Sequence, residues 1–568
     1  MNREELLRHA RGDAPAELLL TNARVVHVLS GEIQEGAVAV AGGRIVGLGP
    51  YDALAVHDLR GAYLAPGFID AHVHIESAMV PPREYARAVV PRGTTTVVSD
   101  PHEIANVLGL EGIRFMLDDA EGGPLSVLVM ASSCVPATRM QTSGATLDAR
   151  DLEALRGHPH VPGLAEVMNY PGVILGDRDV LAKLRAFDGR VVDGHAPGLT
   201  GRDLCAYVAA GIGSDHECTT AAEALEKVRL GMTVFIREAT GARNLHALLP
   251  AVTERNQHRF CFCTDDRHPA DLLSEGHIDH LVRGAISAGL DPVTAIRLAT
   301  CNPAAYFRLR DRGAITPGRR ADLVAFTDLA APAPELVWSA GELVARDGRM
   351  VAQATATPGP TLPHTMNVDW ERVRLEVPAG RGRARVIGLV PDQIVTVALT
   401  EELTIRDSHA VADPERDLLK LAVIERHRAS GTVGLGFVRG FGLRAGALAS
   451  SVAHDHHNIV VAGADDRSMW TAARRVAELG GGLAVARGDD VLCEVPLPLA
   501  GLMSDRPVEE VRRSLDAAVA ACRALGSPLP DPFMSLSFLA LEVIPSLKLT
   551  DKGLVDVMRF EIVPLWLE

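Results

Sequence analysis

Between Ala65 and Leu309, eight short apolar segments alternate with helical stretches, and this alternation constrains the fold more than any other feature of the chain. The segments are GFIDAHVH, TTTVVSD, SVLVMAS, GLAEVMN, RVVDGHA, GIGSDHE, MTVFIRE and RFCFCTDD, separated by helical patterns such as PPREYARAVVPRG and AAEALEKVRLG. Strands alternating with helices build parallel βαβ units. Eight units in about 250 residues is the size of a (β/α)₈ barrel.

In such a barrel the C-terminal ends of the strands converge on one face, so residues distant in sequence become neighbours there. His72 and His74 end the first strand, Glu166 lies on the fourth, His195 ends the fifth, His216 the sixth and Asp265 the eighth. These six are the candidate metal ligands. His-x-His on a strand puts both imidazoles on one side, a two-point grip on an ion. Four imidazoles with two carboxylates suit Zn, Mn, Fe or Co better than a soft thiolate metal. A lone histidine at a strand end is more often a hydrogen-bonded structural residue, but six ligand types at the same end of one barrel are hard to explain that way.

The flanks read differently. Residues 2–11 have the pattern of a short amphipathic helix, and LLLTNARVVHVL and GAVAVAGGRIVGLG follow as β-rich runs punctuated by glycine. The same texture returns in GAITPGRRADLVAF and ELVWSAGELVARDG. The expected organisation is a small β-sandwich drawn from residues 1–64 and 311–351, around a barrel at 65–310. A Pro/Thr/Ala-rich linker at 352–365 then leads to a mixed α/β domain at 366–568. The last domain has strand-like VRLEV, IVTVAL and HNIVVAG, and helical TAARRVAELG and VEEVRRSLDAAVAACRAL.

With a formal net charge of −15 and no long run of Lys and Arg, nucleic acid and anionic membrane are poor partners. Eight cysteines without a CxxC pair give neither a disulfide framework nor a thiolate zinc site. The opening residues lack the apolar stretch of a signal peptide, and no run of about 18 apolar residues is present. The expected location is a reducing cytoplasm.

PGFIDAHVH resembles the first-strand motif of the amidohydrolase superfamily, and the flanking β segments resemble its small β-sandwich. Within that superfamily the chain resembles bacterial adenine deaminases through HVHIESAM (72–79), SDPHEIANV (99–107), GLAEVMNYPGV (163–173), DGHAPG (193–198), GSDHECT (213–219), FIREAT (235–240) and FCTDDR (262–267). ASSVAHDHHNIVVAG (449–463) resembles the extra C-terminal domain of those deaminases, so the likeness spans nearly the whole chain.

The resemblance implies hydrolytic deamination of adenine to hypoxanthine and ammonia, in purine salvage and adenine catabolism, at a binuclear centre of two divalent ions (Mn, Fe or Zn). It makes His72, His74, His195 and His216 imidazole ligands. Glu166 then bridges the ions where many relatives use a carbamylated lysine, and Asp265 is both ligand and proton shuttle. His102, Glu103 and Glu76 are the candidates for an acid serving ring N1. Glu76 stands where dihydroorotase-like relatives carry an arginine for a substrate carboxylate, so it is expected to bind ring N–H groups instead, with Arg237 and Glu238 either as further base contacts or as braces of the barrel rim. The expected partner is a small purine base, and the expected assembly a homo-oligomer. Competing readings are cyclic-amide hydrolysis, N-acetyl-sugar deacetylation, or an inactive scaffold, which predicts missing ligands where none is missing.

Two motifs are read as decoys. Gly440-Phe441-Gly442-Leu443-Arg444-Ala445 fits a loose dinucleotide pattern but has no βαβ context, so its glycines are read as turn residues. His454-Asp455-His456-His457 is read mainly as polar loop, with the alternative that Asp455 or His457 reaches a barrel mouth in its own or a neighbouring subunit.

Overall fold

A computed structural model describes residues 1–351, 361–390 and 393–567, so most of the expected linker lies outside the described residues. The short N-terminal helix spans Arg3–Arg11 and is closed by an Asn2 capping box and a left-handed Gly12.

Each of the eight apolar segments contains a strand: Phe68–Val73, Thr94–Ser99, Ser126–Val129, Gly163–Val167, Val191–Gly194, Ser214–Asp215, Thr233–Arg237 and Phe260–Cys263. All pair in parallel. Strands one to three form one group, four and five a second, and six to eight a third. Parallel bridges join Ala131 to Leu164 and Val73 to Asp265, so the third strand meets the fourth and the eighth returns to the first. Between the fifth and sixth, the Gly213 N–H donates to the Val192 carbonyl at 2.9 Å. Nearly every residue of these strands is buried, as expected for parallel strands covered on both faces.

Glycine is required where neighbouring strands close on each other. A Cβ on Gly163 would lie 2.1 Å from the Val191 carbonyl oxygen, and one on Gly194 would lie 2.3 Å from that of Ser214. These glycines stand three residues before Glu166 and one before His195, so close backbone approach sets the position of both side chains.

The β unit expected to be a sandwich is hydrogen-bonded as one continuous nine-stranded sheet. Strands from both flanks meet where Tyr63–Pro66 pairs antiparallel with Leu323–Phe326. Continuity comes from Ala16–His27, which pairs with three partners and shifts register between Leu20 and Ala23. Apolar side chains cover both faces: Val38 and Val40 pack with Leu64 and Trp338, while Ala39 and Ala41 pack with Val46 on the other side.

The C-terminal region holds an eight-stranded sheet from Ala384 to Pro496, with helices Asp466–Glu478 and Val508–Ala524. Of its expected strands, VRLEV contributes only Val377 to a two-residue strand, because this stretch runs as turn and extended chain. Gly440 and Gly442 sit at positive φ, and both donate N–H to the Asp417 carboxylate, which is a turn and not a nucleotide fingerprint. This region is tied to the barrel side by Thr142 and Asp551 (2.6 Å), Thr138 and Glu542 (2.5 Å), and His268 and Asp531 (2.8 Å). All eight cysteines are free, and no helix among the described residues is long and apolar enough to cross a membrane.

Gly163→Ala is expected to destabilise the protein by about 1–3 kcal/mol through overpacking. A lowered urea midpoint with loss of bound metal is the expected result; an unchanged midpoint contradicts the close-approach account.

Candidate metal centre and active site

The strand ends bring the six expected ligands together. His72 Nε2 and His74 Nε2 lie 3.1 Å apart, and Asp265 Oδ1 is 3.5 and 3.2 Å from them. Glu166 Oε1 faces the same pair at 3.7 and 3.3 Å. Its other oxygen, Oε2, faces His195 Nδ1 at 2.7 Å and His216 Nε2 at 3.4 Å. One carboxylate therefore offers an oxygen to each of two nests of ligand atoms.

Fit to a cation is tested by the polar atoms themselves. Glu166 Oε2 and His195 Nδ1 are buried at 2.7 Å separation, yet neither makes a hydrogen bond in the structure. Buried ligand atoms that converge in this way are what a metal site requires. The groups His72–His74–Glu166, His72–His216–Asp265 and Glu166–His195–His216 each bring their ligand atoms within 4.8 Å of one another. His74 is oriented from behind, its Nδ1 lying 2.8 Å from the Asp100 carbonyl, which leaves Nε2 turned to the cluster. Burial, helped by the nearby His72, pushes His216 down to about 4 and keeps its ring neutral, as a ligand needs. Burial alone would raise Glu166, but the surrounding imidazoles, His195 first, hold it well below the usual carboxylate range.

A buried lysine braces the fifth and sixth strand ends. Lys227 Nζ donates to the Ala196 carbonyl (2.7 Å), Asp215 (2.9 Å) and Glu223 (2.8 Å), and Asp215 also accepts from the Ala196 N–H (2.8 Å). One cation thus joins the residues flanking His195 and His216.

Beside the cluster lies a small cavity that opens to solvent. His102 lines it, with Nδ1 3.1 Å from Asp100 and 3.5 Å from Glu166. Glu103 lines it too, but its oxygens are taken by His454 and His457. Arg237 faces the cavity, with its guanidinium paired with Glu217 and with Asp265 Oδ2 (2.8 Å).

Glu76 and Glu238 do not line the cavity, which corrects their expected role as base contacts. After His74 the chain turns into a 3₁₀ helix, Ile75–Ala78, and Glu76 is directed at the Ile104 N–H (3.2 Å). Burial lifts Glu76 to about 7. Glu238 accepts from the Leu245 N–H at 2.8 Å at the start of a helical turn.

Residues 454–457 do form a turn, but a buried one, and the alternative reading holds for Asp455: with His454 it lines the cavity of its own chain. Sequence reasoning also missed Glu217 and Asp266, which directly follow His216 and Asp265 and line the cavity. It missed Ile394, Met534, Phe538, Leu541 and Ile544 of the C-terminal region, which form the apolar wall.

Residues 63–345 match the amidohydrolase family, and residues 393–561 match the adenine deaminase C-terminal domain. The chain belongs to the amidohydrolase family. It is 54% identical over 565 residues to the adenine deaminase of Desulfatibacillum aliphaticivorans, covering 99% of each chain. It is 49% identical over 564 residues to adenine deaminase 2 of Carboxydothermus hydrogenoformans, and 50% identical over 561 residues to the adenine deaminase of Cereibacter sphaeroides, again covering 99% of each chain. Within the amidohydrolases, its place is among the adenine deaminases.

Two outcomes check this geometry. Lys227→Met strands buried Asp215 and is expected to cost about 3–5 kcal/mol, with lower metal occupancy by elemental analysis; wild-type occupancy and stability would remove the bracing role. Lys548 is buried, donates to the carbonyls of cavity residues Ile394 and Phe538 (2.9 Å each), and is pushed by burial down to about 7. The unfolded chain then binds the extra proton above that pH, so stability relative to Lys548→Met should grow as pH rises from about 7 towards the ordinary lysine range. A pH-independent difference in urea midpoints would contradict it.

Proposed function

We propose that the protein hydrolyses adenine to hypoxanthine and ammonia, using two divalent ions held by His72, His74, Glu166, His195, His216 and Asp265. The observation that carries the activity is identity of about half the residues, over the full length, with proteins named adenine deaminase. The ligand geometry supports the two-ion centre, with Glu166 as the side chain shared between its halves. In the same reading, the three strand groups close into one (β/α)₈ barrel at 65–310, with the β unit drawn from 1–64 and 311–351 and the C-terminal domain at 366–568.

The imidazole–carboxylate set favours Mn, Fe or Zn, and such ions lower the pKa of water enough to supply a nucleophile at neutral pH. Asp265 is placed to take the proton released as oxygen bonds to C6. Its Oδ1 faces the ligand cluster while Arg237 holds Oδ2. The pair fixes the carboxylate so that it can return the proton to the departing amine as the C6–N6 bond breaks. Arg237 is itself fixed by Glu217, a chain of charge-assisted contacts that keeps the acceptor in line. The wall from Ile394 and residues 534–544 excludes water and offers an apolar surface to a flat base.

Metal-loaded protein is expected to release ammonia and hypoxanthine from adenine in equal amounts. No release from adenine, with turnover of a cyclic amide or an N-acetyl sugar in the same panel, would overturn the assignment. Asp265→Asn is expected to lower kcat about 10²–10⁴-fold, and His72→Ala to lower metal content as well. Wild-type kcat in Asp265→Asn would remove the proton-transfer role.

A further inference from the structure

Among the residues that the C-terminal region contributes to the cavity is a histidine the metal centre does not use, His454. His457 Nδ1 accepts from the Ala453 N–H at 3.1 Å, so its proton sits on Nε2, which donates to Glu103 Oε2. The backbone thereby fixes the tautomer. Glu103 Oε1 lies 2.5 Å from His454 Nδ1. A carboxylate already receiving one N–H accepts the second, so Nδ1 of His454 is also a donor.

This leaves His454 Nε2. Among the described residues, no hydrogen bond engages it, although the ring lines the cavity. One face of the ring is stacked on Phe538, with centroids 4.7 Å apart and planes 9° from parallel. Orientation is thus set by a carboxylate on one edge and an aromatic ring on one face. Burial works against a charged ring, but the nearby Glu103 and Asp266 carboxylates outweigh it and lift His454 to about 9, which favours a second ring proton, on Nε2.

We propose that the C-terminal domain completes the base-binding site, with His454, held by Glu103 and His457, donating its Nε2–H to a ring nitrogen of the purine while Phe538 backs its imidazole. This rests on the adenine reading of the site. The hydrogen bond orients the ring and steadies the negative charge that moves onto the ring nitrogens as oxygen adds to C6. Glu103, a candidate acid by sequence, becomes a positioning residue because both its oxygens are committed.

The test uses the full-length, metal-loaded protein and inhibition constants for adenine and its 1-deaza, 3-deaza and 7-deaza analogues, alongside kcat/KM for adenine and metal content. Wild-type protein should bind one analogue markedly more weakly than the others, the one lacking the contacted nitrogen. In His454→Gln, kcat/KM should fall about 10- to 100-fold, the range of a hydrogen bond from a charged donor, at unchanged metal content, and the penalty for that analogue should shrink to near zero. Glu103→Gln, which keeps the side-chain shape, should weaken the same discrimination in part and serves if His454→Gln does not fold. An intact analogue pattern in these variants, or none in wild type, overturns the contact. Wild-type protein that deaminates no adenine overturns the activity reading instead.

Discussion

Everything in this structure is arranged around one buried carboxylate placed between imidazoles. Glu166 shows one oxygen to His72 and His74 and the other to His195 and His216, with all these groups nearly or fully withdrawn from solvent. Such a cluster of lone pairs in a low-dielectric interior costs a great deal unless a cation satisfies it. The strands, the Lys227 brace and the Asp100 carbonyl behind His74 are the means of holding that costly arrangement still. A parallel strand array suits the task because its buried backbone is fully paired and its C-terminal ends all face one way.

The centre alone does not make a site for a small base. Open at the strand ends, it would be wet, and its electrostatic effects would be weakened by solvent. The C-terminal region supplies the missing side. Its apolar segment 534–544 and the 454–457 loop cover the cluster, and polar pairs such as Thr142–Asp551 and His268–Asp531 fasten them there. Lys548 ties two parts of that wall together through backbone carbonyls. The two regions thus make a single cavity to which neither contributes all of the lining.

How much of this could be read from sequence follows from the range of the interactions. The eight strands were legible because parallel strands buried on both faces read as apolar runs, and because ligand residues mark their ends. Glu76 was misplaced because the chain leaves the strand after His74 and enters a 3₁₀ turn, which no periodicity announced. Glu238 was misplaced for a related reason: one residue beyond the strand that ends at Arg237, its carboxylate bonds the Leu245 N–H. Glu217 and Asp266 carried a usable signal, since each directly follows a candidate ligand. His454 carried none that local reasoning could weigh, because its partner Glu103 is 351 residues away and a polar loop looks the same whether or not a second domain folds over it.

The proposed two-ion catalytic centre is built on the Glu166 cluster. Its most direct test is titration of metal-free protein with Mn²⁺, following adenine-dependent ammonia release against ions bound per chain. Negligible activity is expected without metal, with a rise that reaches its plateau at two ions per chain and loss of that plateau in Glu166→Gln. Full activity in the metal-free protein, or a Glu166→Gln variant that binds and responds to the ion as wild type does, would contradict it.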